Sequence, residues 1–544
     1  MKIRLIIFNS SVFGWLLLSL NLYAQIASNN IWQADLNKGK YQNPILYADY
    51  SDPDICKVGD DFYMTSSSFN CVPALPILHS KDLVNWRIIN YAIPHFPDEY
   101  YNKVQHGNGV WAPSIRHHQG WFYIFWGDPD RGIYMVKTKD PESAWSTPIL
   151  IKKAAGNIDP CPLWDDDGKV YMVHAFANSR AGVSDVLQVQ ELSPEDMSVT
   201  RNRKIVIVGY PENFTLEGPK FYKRNGYYYI FAPAGGVAEG WQMVFRADNP
   251  FGPYEGRKVL EQGNSPINGP HQGGYVELDN GECWFVHFQE KLPYGRIVHL
   301  QPMSWENDWP IIGYHPSEMA VGMPVTMHSK PNIKYKGPKF ELPLSDEFNQ
   351  DQFHLGWQWQ ANPHNSWYAM NERPGYLRLY SQYHSQTSKN VWEQPNLLLQ
   401  KIPGPSFSAQ TCFDVSQLLQ GERAGFIMMG MDYAALNLEN VGEGKSKLKL
   451  VRNYKAHKGN LEEVLLSKVL DKQTIWLSMQ MKEGGTTTFS YSIDGKNFNP
   501  IIGDFTAEEG RWIGAKIGLF SQKNSYTGPV GYVDVDFFRI NNFE

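Results

Sequence analysis

A chain of 544 residues exceeds the roughly 250–300 at which one hydrophobic core stops growing, so two domains or more are expected. With 42% hydrophobic and 19% charged residues the composition is that of a globular protein and excludes a disordered chain. A formal net charge of -6 with no basic stripe excludes a protein that tracks nucleic-acid phosphates and favours a neutral partner.

The N-terminus carries Lys2 and Arg4, an apolar stretch from Val12 to Leu20 and the small residue Ala24. That order predicts a secretory signal peptide over residues 1–24, cleaved near Ala24–Gln25, and hence a secreted or periplasmic protein. The apolar run is too short and too interrupted for a membrane span, and no other candidate span exists. A retained anchor is the alternative.

From there one local pattern occurs five times: a turn containing glycine, then a run of aromatic and β-branched residues. The copies are VGDDFYMTSS at Gly59, HHQGWFYIFWG at Gly120, DDDGKVYMVHA at Gly168, KRNGYYYIFAP at Gly226 and LDNGECWFVHF at Gly281. Glycine supplies the positive φ that a tight hairpin turn needs, and alternation of apolar and polar residues marks the strands. A spacing of roughly 50–60 residues fits a four-stranded propeller blade, so residues 25–335 are predicted to form a five-bladed β-propeller. Helix-period patterns are scarce, which argues against an α/β barrel. Aromatic residues reach 14%; such rings suit β-sheet packing and also the apolar faces of sugars.

Residues 331–344, PNIKYKGPKFELPL, break the blade pattern and read as a linker. Beyond it, over 336–544, alternating segments such as TIWLSMQMK, TTTFSYSIDGKNF and GYVDVDFFRI predict a β-sandwich. The fold class is thus all-β, a propeller followed by a sandwich. Five cysteines, Cys56, Cys71, Cys161, Cys283 and Cys412, lack zinc-type spacing and cannot all pair. Mostly buried free thiols are expected, with Cys56–Cys71 the first choice if one disulfide forms.

Three carboxylates stand in distinctive contexts: Asp52 in YSDPDI, Asp159 in NIDPCP and Glu217 in LEGPKF. Each precedes proline directly or after one glycine. Proline pushes its predecessor toward extended geometry and ends the local ladder, so these residues belong at strand starts. In a propeller they open the first, third and fourth blades and face a shared axis. Glycoside hydrolysis needs one carboxyl to protonate the departing oxygen and another to activate water or attack the sugar, and a third charge can keep the acid protonated. Alone, each motif is an ordinary turn former. The run Asp165-Asp166-Asp167 reads as a solvated hairpin tip without chemistry.

The conjunction resembles glycoside hydrolase family 43 over about 42–315 and onward into the second domain. The motifs that carry it are NPILYADYSDPDICKVGDDFYMTSSSFNCVPALPILHSKDLVNW, VWAPSI, IDPCPLWDDDGKVYMV, EGPKFYKRNGYYYIF and GPHQGGYVEL. The resemblance implies an inverting five-bladed propeller enzyme with Asp52 as general base, Asp159 as modulator and Glu217 as general acid. It places His271 at the propeller centre, where a structural calcium or a water cluster is an option, although no cofactor is required. It also implies that Arg296 reaches substrate hydroxyls; Trp111 and Phe69 are plausible subsite walls. The sandwich resembles the concanavalin-like jelly roll of the β-xylosidase branch, which narrows the pocket or braces the propeller; a free binding module fits poorly with so short a linker. The expected substrate is neutral plant hemicellulose, with arabinofuranose favoured over xylose as the released sugar. A retaining β-fructosidase-type propeller would need Asn-Asp-Pro-Asn-Gly and Arg-Asp-Pro, which are absent; DPDRG at Asp128 is a superficial echo. A non-catalytic sugar-binding propeller would have no need of a proton donor. GGVAEG at Gly235 lacks the lysine of a phosphate loop.

Overall fold

The computed structural model describes residues 31–316, 319–385 and 387–542; the expected signal peptide lies outside them. Five antiparallel four-stranded sheets follow one another over residues 54–93, 114–153, 157–208, 220–260 and 271–312, each with its strands in sequence order. All five glycine turns join the first strand of a blade to its second, as in Asp54–Val58 with Asp61–Thr65 and in His271–Glu277 with Cys283–Lys291. The first strands of the fifth and first blades pack together and close the ring. Chain ends reinforce the closure: Lys40–Gln42 pairs with Met327–Ser329, and Leu46 bridges to Val298 of the fifth blade.

Aromatic residues fill the space between blades. Phe221, Tyr228 and Phe245 of the fourth blade pack on Tyr171 and Val173 of the third, and Phe231 and Tyr229 pack on Phe285 of the fifth. One buried charge is built into the same seams. Lys220, with no exposed surface, donates through Nζ to Pro113 O at 2.7 Å and Ser114 Oγ at 3.0 Å, so its desolvation is offset by fixed acceptors.

Residues 358–541 supply a sandwich of two large sheets, antiparallel except where Gln382–Tyr383 runs parallel to Lys516–Lys523. Alternation along Thr486–Ser492 turns Thr487, Phe489 and Tyr491 inward and Thr486 and Thr488 outward, and the inner faces meet around Phe426, Leu436, Leu477 and Phe538. The linker segment runs back over the first blade, where Phe340 lies 4.4 Å from the Arg87 guanidinium and 5.2 Å from the His79 ring.

The two domains are sewn together by backbone. Val72 and Trp359 exchange N–H···O bonds of 3.0 and 2.6 Å, and Gly404 N–H donates to Tyr47 O at 2.8 Å. Lys516, buried in the sandwich, donates to Cys71 Sγ of the first blade at 3.0 Å and to Gln358 Oε1 at 3.1 Å. A freely tethered module is incompatible with these contacts.

As expected, the cysteines are buried free thiols, all five of them; Cys71, the first choice of partner for Cys56, faces Lys516. One local expectation is corrected. The Asp165–Asp167 tip is only partly solvated: Asp165 leaves 1% of its side chain exposed and is held by Lys223 and Tyr228 of the next blade, because the third and fourth blades meet there. Among the described residues no helix is long and apolar enough to cross a membrane.

Candidate active site

The acids lie at the chain's entries into separate blades. Asp52 precedes the first strand of the first blade by two residues, and Glu217 precedes Lys220–Arg224 of the fourth by three. Asp159 lies inside Asn157–Trp164 of the third blade, where the register to the second strand shifts between Ile158 and Cys161. That irregularity re-aims one side chain out of the ladder. Asp52 and Asp159 adopt φ of 56° and 55°, left-handed values that cost a non-glycine residue of the order of 1 kcal/mol and recur at functional sites. The prolines that follow them, Pro53 and Pro160, fix the chain on the far side of each turn.

All three carboxylates line one cavity of ≈510 Å³, together with Phe69, Trp111 and Arg296. Asp52 is 5% exposed and is held from two sides. Ser67 Oγ donates to its Oδ2, and Arg296 Nη1 donates to Oδ1 at 3.1 Å and Oδ2 at 3.4 Å. The arginine is itself positioned, its backbone N–H donating to Asp49 Oδ1 at 3.0 Å. Asp159 accepts the Gly218 N–H through Oδ2 at 2.8 Å, which ties the third blade to the residue after Glu217. The Glu217 side chain keeps 31% of its surface open to the cavity.

The electrostatics separate these groups. Burial, followed by the Asp52 charge, pushes the Asp159 carboxyl well above the usual carboxylate range. Burial, then Asp159, and more weakly Asp52, pushes Glu217 up in the same direction, while Arg296 opposes the rise. Asp159 and Glu217 titrate as one interacting pair and retain a proton near neutrality. Asp159 is the charge that does most to raise Glu217, and Asp52, held by Arg296, is the charge that does most to raise Asp159.

The remaining expected residues divide. Phe69 is buried and exchanges N–H···O bonds of 2.9 and 3.1 Å with Val110, and Trp111 donates through Nε1 to Gly107 O at 2.7 Å; both rings form cavity wall. His271 is fully buried behind the cavity, with Nε2 3.7 Å from Glu217 Oε1 and neither ring nitrogen hydrogen-bonded. Burial, then the Arg296 charge, lowers it to about 3, so the imidazole is neutral. A calcium ion beside it would find one imidazole and, among the described residues, no group of three or more His, Cys, Asp or Glu side chains. Calcium takes about six to eight oxygen ligands, and the residues present do not fit a protein-built cage for it.

Several residues of the site escaped the sequence reasoning, among them Ser67, which holds Asp52, and Asp185, Tyr210, Phe214 and Trp512, which line the cavity. Ser67, on Asp52, belongs to the run Ser66-Ser67-Ser68, whose position just past a blade strand is a weak signal. Asp185 lines the cavity and adds to the raising of Glu217. Trp512 comes from the sandwich: it lines the same cavity, 46% exposed, with its ring 6.5 Å from Trp111 in an edge-on arrangement. Nothing near position 512 in sequence announces it.

A carboxylate clamped by a guanidinium, a separate carboxyl pair that keeps a proton, and aromatic walls around a cavity of sugar size together define a glycosidase site on a propeller. The sequence model of glycosyl hydrolases family 43 matches residues 41–310, and that of the β-xylosidase C-terminal concanavalin A-like domain matches residues 345–541. The chain belongs to glycoside hydrolase family 43. It is 35% identical to a Xylanibacter ruminicola protein named "Putative beta-xylosidase", over 90% of this chain and 87% of that one. To the non-reducing end α-L-arabinofuranosidase BoGH43B of Bacteroides ovatus it is 28% identical, over 93% and 97%. Among solved structures, the GH43 protein BlXynB of Bacillus licheniformis superposes with a TM-score of 0.78 at 27% identity, covering 93% of this chain and all of the other.

Proposed function

We propose that the protein is an inverting, exo-acting glycosidase that releases arabinofuranose or xylose from plant hemicellulose. In this reading Asp52 is the general base, Glu217 the general acid, and Asp159 the group that keeps the acid protonated. The observation that carries it is the division of labour among three carboxyls in one cavity: one on a fixed cation, two sharing a raised proton affinity. Asp52 accepts a proton from a water that attacks the anomeric carbon from one face. Glu217 gives its proton to the glycosidic oxygen as the C–O bond breaks on the other, so charge is conserved and both carboxyls return to their starting state once protons exchange with solvent. Inversion calls for a base–acid separation of roughly 6.5–9.5 Å, wide enough for that water.

Relatives named for xylosidase and for arabinofuranosidase activity both align over most of the chain. The stretches YADYSDPD and SSSFNCVPALPILHS favour the arabinofuranoside. An exported enzyme suits a polymeric substrate that stays outside the cell, in keeping with the expected signal peptide. Hydrolysis of matched nitrophenyl arabinofuranoside and xyloside tests the sugar. Proton NMR of the first-formed product tests the mechanism: the inverted anomer is expected, and a retained anomer overturns the assignment of Asp52 as base. Glu217→Gln should lose about 10²–10⁴-fold in turnover on poor leaving groups and much less on nitrophenyl glycosides.

A further inference from the structure

The cavity does not end at the carboxylates. Between the third and fourth blades, residues 209–216 carry two aromatic rings to its mouth, Tyr210 and Phe214, which are 69% and 46% exposed and line the same cavity as Glu217. The loop that presents them is fixed. Gly209 N–H donates to Asp185 O and Asn213 N–H to Gly209 O, both at 2.7 Å, and Gly235 N–H reaches Phe214 O at 2.7 Å. Phe214 also rests edge-on against Trp241 with ring centroids 5.7 Å apart. Beside the rings stands Asp185, with Ser184 Oγ donating to its Oδ2 at 3.0 Å and Leu216 N–H to its Oδ1 at 3.3 Å.

Large rings left in water on a rigid loop do nothing for the core. A flat ring beside a hydroxyl acceptor is the combination that recognises a pyranose, which has an apolar C–H face and a polar rim. Tyr210 and Phe214 stand seven and three residues before Glu217 on the segment that leads into it and line the same cavity; the proposed proton donor faces the departing oxygen, which puts these rings on the leaving-group side.

On the reading of the site given above, we propose that Tyr210, Phe214 and Asp185 form the subsite for the leaving-group sugar: a pyranose of a β-linked xylan-type chain stacks on the two rings and gives a hydroxyl hydrogen bond to Asp185. The enzyme then draws part of its transition-state stabilisation from a ring that does not react, and its preferred substrates are oligosaccharides rather than simple pentosides.

The test compares two leaving groups on one donor sugar. Arabinofuranosyl and xylosyl azides place nothing on the ledge, whereas xylotriose and arabinofuranosyl-substituted xylotriose place a pyranose there. Tyr210→Ala and the Tyr210→Ala/Phe214→Ala pair are expected to lower kcat/KM on the oligosaccharides by about tenfold and about a hundredfold, with azide hydrolysis within about twofold of the parent. Tyr210→Trp should keep oligosaccharide turnover. Equal losses on azide and oligosaccharide would mean that the loop only shapes the donor site, and no loss on either would mean that the rings touch nothing; each result overturns the ledge. An unmodified enzyme inert toward both azides and both oligosaccharides would instead overturn the functional reading, and the ledge with it.

Discussion

Arg296 of the fifth blade donates from one nitrogen, Nη1, to both carboxylate oxygens of Asp52 before the first blade, at 3.1 and 3.4 Å. The two blades are the first and last in sequence and become neighbours in space through ring closure, so this pair exists because the propeller closes. The guanidinium orients the proposed base. The sequence resemblance assigned Arg296 to substrate hydroxyls; here its Nη1 is occupied by Asp52.

Removing that cation has a signed consequence. Arg296 lowers both Asp159 and Glu217, so in Arg296→Met the acid should hold its proton to higher pH. The basic limb of the kcat/KM profile is expected to move upward, while the maximum falls by about a hundredfold or more because Asp52 loses its orientation. Arg296→Lys should restore the limb but little of the rate, since an ammonium supplies the charge without the planar fork. A limb that stays put in Arg296→Met would disconnect the arginine from the acid.

Asp159→Asn acts in the opposite direction. The change removes the partner that, after burial, does most to raise Glu217, while the amide oxygen can still accept the Gly218 N–H. The remaining acid should release its proton at lower pH. The basic limb of the pH profile is therefore expected to shift downward, with activity at pH 7 falling about ten- to a hundredfold and recovering in part on acidification. Loss that is uniform with pH would show that Asp159 serves geometry alone.

The same proton affinity bears on stability. Glu217 in the folded protein binds its proton more tightly than in the unfolded chain, where its pKa is about 4.3. Its contribution to stability is thus fully present below that value and is lost as pH rises through the raised folded value. Glu217→Gln does not titrate. Its Tm should match the parent's near pH 5 and exceed it by about 1–2 °C near pH 8, the direction expected where an active site sacrifices stability for function. Parallel curves of Tm against pH would contradict the raised affinity of Glu217.

Much of this architecture was legible because its signals are local. A hairpin needs only its glycine turn and the alternation on either side, and each of the five appears within about ten residues. The prolines marked the acids but not their geometry: instead of the extended backbone expected before proline, Asp52 and Asp159 take left-handed φ of 56° and 55°, and Asp159 lies inside a strand rather than at its start. The fate of Asp165 was not legible, because Lys223 and Tyr228 reach it from a separate blade. Cys71 looked available to Cys56, yet it meets Lys516 across the domain boundary. The division of proton affinity was also hidden, since it depends on which carboxyls become neighbours once the ring has closed. In each case the decisive partner lies far away in sequence.

Trp512 is the extreme of that class, more than 400 positions from the Trp111 ring it faces, and it distinguishes a sandwich that shapes the site from one that braces the propeller. Its loop is tied to the propeller by Gly514 N–H on Asp49 Oδ2 at 3.1 Å and by Ala515 N–H on Pro293 O at 2.8 Å. The ring itself remains 46% exposed, so removing it should cost little stability. Gly107, at φ 79°, lets the loop approach: a Cβ there would lie 2.6 Å from Arg511 Cγ and 2.9 Å from Trp512 Cδ1. If the ring is a wall of the substrate cavity, Trp512→Ala should raise KM on short substrates about tenfold with a smaller change in kcat. Gly107→Ala should have a similar effect with Trp512 still present, because the added methyl displaces the ring. Trp512→Ala should melt within about 2 °C of the parent, since the backbone bridge from Val72 to Trp359 is untouched, whereas Gly107→Ala carries the added strain of a Cβ at positive φ and should melt lower. Unchanged kinetics in both would leave the sandwich a brace and remove Trp512 from the site.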